Sequence, residues 1–121
     1  MKSEYLNLML IENFPNLKRK YLDEISWQEG NSTGSHTIYG DVLTPYLVEC
    51  IIGDNTNEIK KIFDFLEKIL EMKDLYSDEV ISYSVIESIV YLFKGRDFLL
   101  LYLGNNTKKV LDELTKHGMD K

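Results

Sequence analysis

An all-α fold is predicted for this chain by three observations. Apolar residues recur at spacings of three and four, with almost no strand-like alternation from Asp41 to Gly118. Short turn clusters such as Gly53-Asp54-Asn55-Thr56 separate the periodic segments. Between Val80 and Phe93 a single charge, Glu87, interrupts a run of apolar and small polar residues, as a central helix requires. Together they predict about seven antiparallel helices, in a compact bundle or a short helical-repeat-like array.

The elements follow in order. Ser3 is placed to cap a first helix ending near Asn13, with Leu6, Met9, Leu10 and Asn13 on one stripe and Tyr5 and Leu8 widening it. Phe14-Pro15 breaks and restarts the chain, because proline suits a first helical turn. The second helix runs to Gln28 and stacks Leu17, Tyr21 and Ile25, with Leu22 beside them. Residues 29–38 form the longest stretch without helical period and read as a loop. The third helix is expected to begin between Asp41 and Pro45, capped by Asp41 or Thr44; Thr44 is favoured because the residue before a proline avoids helical angles. Its buried stripe is Tyr46, Leu47, Cys50 and Ile51.

Asn55 and Glu58 have the spacing of a capping box and open a fourth helix reaching to residue 74. Ile59, Ile62, Phe63, Leu66, Ile69 and Leu70 keep helical spacing there, and Phe65 and Met72 add a second ridge. Ser77, followed by Asp78 and Glu79 at the positive end of the helix dipole, opens the fifth. Gly95 separates it from a short helix over 96–103, which Gly104 ends. The last runs from Asn106 to His117, with Val110, Leu111 and Leu114 inward and Gly118 as its stop.

At 121 residues the chain is of single-domain size, with 44% apolar and 28% charged residues. Its net charge of −6 argues against a nucleic-acid partner, since phosphate binding needs a basic face. No signal peptide and no membrane-spanning run is seen, and Cys50 is the single cysteine, which fits a reducing cytoplasm. Eight tyrosines, half-apolar and half-polar, suit an interface.

Candidate sites are sparse. His36, Tyr39 and Asp41 cluster beside the 29–38 loop, where a histidine and an aspartate offer a base and its orienting group or two metal ligands. The plainer reading makes Tyr39 a loop anchor and Asp41 a helix cap. Gly30 and Gly34 have phosphate-loop spacing, but Ser35-His36 stands where the loop requires a lysine. Asp54 to Glu58 superficially suggests a calcium loop, yet Ile59 replaces its required glycine. Cys50 sits in an apolar stripe and reads as core. Glu87, among Tyr83, Tyr91 and Lys94, reads as the exposed face of a central helix. Asp64, Glu67, Glu71 and Asp74 share one face of the fourth helix, suited to a basic partner or simply solvated between Lys60, Lys68 and Lys73. No cofactor is expected.

The segments Phe14-Pro15-x-Leu17, Tyr39-Gly40-Asp41-Val42-Leu43-Thr44-Pro45-Tyr46-Leu47 and Phe63-Asp64-Phe65-Leu66-Glu67 resemble a family of small bacterial all-helical proteins found among immunity proteins of interbacterial toxin systems. The resemblance runs from about residue 5 to residue 117 and carries no catalytic residue. It implies a noncatalytic cytosolic antitoxin whose partner is a toxin domain. A small hydrolase or metal-dependent enzyme built on the His36–Asp41 region, and a scaffold binding a peptide, are the alternatives.

Overall fold

The computed structural model describes residues 1–116, and all regular structure among them is helical. Helix α1 spans Ser3–Asn13. A 3-10 turn, Pro15–Leu17, leads into α2, Lys18–Ser26. A second 3-10 turn, Gly30–Ser32, precedes α3, a continuous helix over 35–52 whose middle, Tyr39–Leu43, is π-helical. Helix α4 is Thr56–Glu71. Helix α5 runs over 75–93, is π-helical at Val80–Ile86 and tightens to 3-10 at Val90–Phe93. A 3-10 helix, Asp97–Tyr102, and α6, Asn105–Leu114, complete the order. The predicted end of the last helix at His117 and its stop at Gly118 lie outside the described residues.

Three helices share the centre. Helices α3, α4 and α5 pack on one another, with α1 and α2 against α3 on one side and the 3-10 helix and α6 against α4 and α5 on the other. The expected stripe of α4 holds: Ile59, Ile62, Phe63, Leu66, Ile69 and Leu70 are buried, and Phe65 joins them from its second ridge. Phe65 meets Phe14 edge-on at 5.3 Å and stacks on Tyr39 at 6.4 Å, tying the α1–α2 junction to the core. The α5 segment buries Val80, Ile81, Val85, Ile86, Ile89 and Val90, while Tyr83, Glu87 and Tyr91 face solvent.

Several boundaries differ from the sequence expectation, each for a physical reason. Ser3 does not cap α1. It is the first helical residue, and its hydroxyl lies 2.8 Å from the Tyr76 hydroxyl and accepts from the Ser35 amide. Asn7, not Asn13, is the buried amide of α1. It donates to the Thr33 carbonyl and accepts from the Ser35 hydroxyl, both at 2.8 Å.

Helix α3 starts at Ser35, so much of the expected loop is helical and neither Asp41 nor Thr44 caps it. Pro45 lies inside the helix, and Thr44 keeps helical angles in front of it, φ −58° and ψ −48°. A proline ring in an α-helix clashes with the carbonyl four residues back. The wider π turn before Pro45 relieves this, with the Thr44 amide bonding the Tyr39 carbonyl. The two π segments cross at Gly40, where an added Cβ would sit 3.8 Å from the Cβ and carbonyl oxygen of Ser84. The Thr44 hydroxyl donates its proton across this crossing to the Ser84 carbonyl at 2.7 Å, with the Tyr39 carbonyl farther off at 3.1 Å.

Helix α4 ends at Glu71, short of residue 74, because Lys73 turns the chain with φ +56° and Asp74 caps the next helix. Ser77 is the capped residue, not the cap: its amide and hydroxyl donate to Asp74 at 2.9 and 2.7 Å. The capping box of α4 is half formed. Asn55 accepts from the Glu58 amide, but the Glu58 carboxylate takes the Tyr46 hydroxyl instead.

Candidate functional site

The acidic face expected on the fourth helix is absorbed by the fold. Glu67 accepts four hydrogen bonds at the start of α6: Oε2 from the Asn106 amide and side chain at 3.1 and 2.8 Å, and Oε1 from the Thr107 amide and hydroxyl at 2.9 and 2.8 Å. It is therefore the N-terminal cap of α6, supplied by another helix, and it sits at the positive end of the α6 dipole. Gly104 makes room for it, since a Cβ there would lie 2.4 Å from Glu67 Cδ. Asp74 caps α5 and pairs with the Met1 amino group at 2.6 Å. Asp64 pairs with Lys60 at 2.7 Å. Glu71 remains exposed. Sequence periodicity places Asp64, Glu67 and Glu71 on α4, but Asp74, expected on the same face, lies beyond the helix end, and periodicity does not show that Glu67 and Asp74 are caps.

The second candidate cluster separates as well. Tyr39 is fully buried, and its hydroxyl donates to the Leu6 carbonyl at 2.6 Å, so it offers no surface to a partner. His36 is exposed and pairs through Nδ1 with the Ser84 hydroxyl at 2.6 Å, with its ring edge-on to Tyr76. Asp41 stands beside Glu24, not His36. Burial first, and then contact with Asp41, raises the Glu24 carboxyl above its ordinary value. The base-and-orienter pairing of His36 with Asp41 is thus not formed. No three His, Cys, Asp or Glu side chains gather as a metal site among the described residues. Cys50 is buried, and burial pushes its thiol up, away from the reactive thiolate.

A third surface feature lies elsewhere. Tyr5 and Leu8 of α1, expected to widen the buried stripe, are 63% and 52% exposed, and Leu22 of α2 is 48% exposed. With Ile11, Pro15 and Tyr21 they line an open groove of about 640 Å³ between α1 and α2, edged by Glu4, Glu12 and Lys18. Helix α1 divides its apolar side chains: Leu6 and Leu10 fill the core with Met9 against it, Tyr5 and Leu8 line this groove, and Ile11 touches both. Exposed apolar side chains gathered in one groove make it a candidate interaction surface. The length of sequence that carries these elements decides the family. The sequence profile described as Domain of unknown function (DUF7674) matches residues 7–118. The chain belongs to that family. No curated protein matches it, and no solved structure does. The family match takes in α2, the π crossing and the Glu67 cap; the groove is built partly by Glu4 and Tyr5, which precede its first matched residue.

The two caps make stability acid-sensitive. Burial by itself raises the Glu67 carboxyl, but the hydrogen bonds from Thr107 and Asn106 outweigh it and hold the group below its ordinary value. The Met1 amino group, then the Ser77 amide and hydroxyl, bring Asp74 down to about 2. A carboxyl depressed on folding contributes stability above its unfolded pKa and loses it as pH falls through the folded one. Asp78, raised by burial, acts in the opposite sense. The melting temperature, followed by circular dichroism, is expected to fall between about pH 4 and pH 2. Glu67→Gln should flatten that fall; an unchanged slope would show that the cap does not titrate with folding.

Proposed function

We propose that this protein is a noncatalytic protein-binding module, a cytosolic immunity protein that neutralises an interbacterial toxin domain. The observation that carries the reading is the α1 face, where Tyr5 and Leu8 stay in solvent while neighbouring Leu6 and Leu10 fill the core. Leaving Leu8 half exposed forgoes about half of the roughly 1.5–3 kcal/mol that its full burial would supply, and a partner that covers it recovers that share. The net charge of −6 adds electrostatic steering toward a basic partner, such as a nuclease domain. The resemblance to immunity proteins supports the same role. Much of its signature, Tyr39 to Leu47, builds the π crossing, and Pro15 of the same signature lines the groove.

The test is co-expression with the toxin domain encoded beside this chain's gene. A stable complex and restored growth are expected, with association slowed by salt. Neither complex nor protection would count against the immunity role.

A further inference from the structure

We propose that the α1–α2 groove receives a basic amphipathic helix of a partner protein, an inference that rests on the binding role above and names its surface. Three features select this occupant. The lining is apolar along its length: Tyr5, Leu8 and Ile11 on one wall, Pro15, Tyr21 and Leu22 on the other. Helix α1 contributes 11 residues, about 16 Å of axis, which matches anchors at i, i+4 and i+7 of an incoming helix. The charges on the α1 wall are both acidic. Glu4 and Glu12 lie about 12 Å apart along the axis, with Leu8 midway and no base between them.

A partner helix with one apolar stripe therefore meets a carboxylate at each end of it, Glu4 accepting one bond from the Ser32 hydroxyl at 3.3 Å, and lysine or arginine flanking the stripe would pair with both. Lys18 on the opposite wall gives the groove a polarity across its width. An incoming helix is then favoured with its cations toward α1 and an acidic or neutral edge toward α2. An acidic amphipathic helix would place like charges against Glu4 and Glu12, and in a chain of net charge −6 the remaining field opposes it as well.

The experiment titrates the full chain with two synthetic helices that share one leucine stripe, one carrying lysine and the other glutamate, by calorimetry. The lysine helix is expected to bind and the glutamate helix not to. Leu8→Asp and Glu12→Lys alter exposed side chains, so both variants should keep the native circular dichroism. Each is expected to weaken binding about tenfold. Equal binding of both helices, binding of neither, or binding untouched by both substitutions would overturn the proposal. A dimer of the chain that dissociates on Leu8→Asp would also overturn it, by showing a second copy in the groove. The two readings separate cleanly. A toxin domain held equally well by wild type and Leu8→Asp sinks the groove and keeps the immunity role. Groove-dependent binding of the lysine helix without any toxin complex does the reverse.

Discussion

Glu67→Lys is expected to destabilise the protein by about 3 kcal/mol or more, although it replaces a charged residue on a helix flank. Glu67 holds the Asn106 and Thr107 amides and both of their side chains. Hydrogen bonds to a charged group contribute about 1.5–3 kcal/mol each net of water, and four that share one part-exposed carboxylate sum to less than four times that. The lysine removes the acceptor and places an ammonium at the positive end of α6. Gly104→Ala reaches the same outcome from the other side, since its methyl collides with the Glu67 carboxyl carbon that those bonds hold in place. Chemical denaturation measures both variants. Hydrogen exchange should show the α6 amides losing protection first; stabilities within about 0.5 kcal/mol of wild type would return Glu67 to the solvated acids.

Ile89→Ala is expected to cost about 2–5 kcal/mol. Ile89 is fully buried on α5, among the residues joining α3, α4 and α5. Removing its outer carbons leaves a void between three helices, none of which moves freely because each also packs on another element. Tyr91→Ala, two positions along and exposed, is the control and should change stability by about 0.5 kcal/mol or less. Equal losses at the two positions in urea unfolding would mean that α5 is not held by its inner face.

Features that depend on local chemistry were legible in the sequence. The α4 stripe is a 3.6-residue pattern, and every one of its six expected residues is buried. Asn55 caps α4 from the position its spacing predicts. Features that depend on distant partners were not. Nothing near Asn105 announces a cap, because the acceptor is Glu67, 39 residues before Asn106. The start of α3 was hidden because Gly34, Ser35 and Thr37 are poor helix formers and Pro45 looks like a first turn. Tertiary packing on α1 and α5 overrides both signals. The groove was missed for a different reason. Helix α1 mixes polar residues into its core face (Asn7) and apolar ones into its outer face (Tyr5, Leu8), so periodicity separates the two faces poorly. Leu10, on the expected stripe, is buried, whereas Leu8, expected to widen it, is 52% exposed.

The π turn of α3 also fixes how the chain can vary in length. A π turn is an α-helix carrying one extra residue, and here that residue offsets the two halves of α3 so that Ile38 before it, Tyr39 at its start, and Leu47, Cys50 and Ile51 after it all face inward. Losing one residue between 39 and 43 would rotate the second half by about 100° and turn its stripe toward water. Gly30–Ser32 lies outside this register, in a turn where Gly30 has φ +63° and a side chain at Gly34 would meet no neighbour within 4 Å. A change of chain length is therefore expected to be tolerated at the approach to α3 and not within the helix itself.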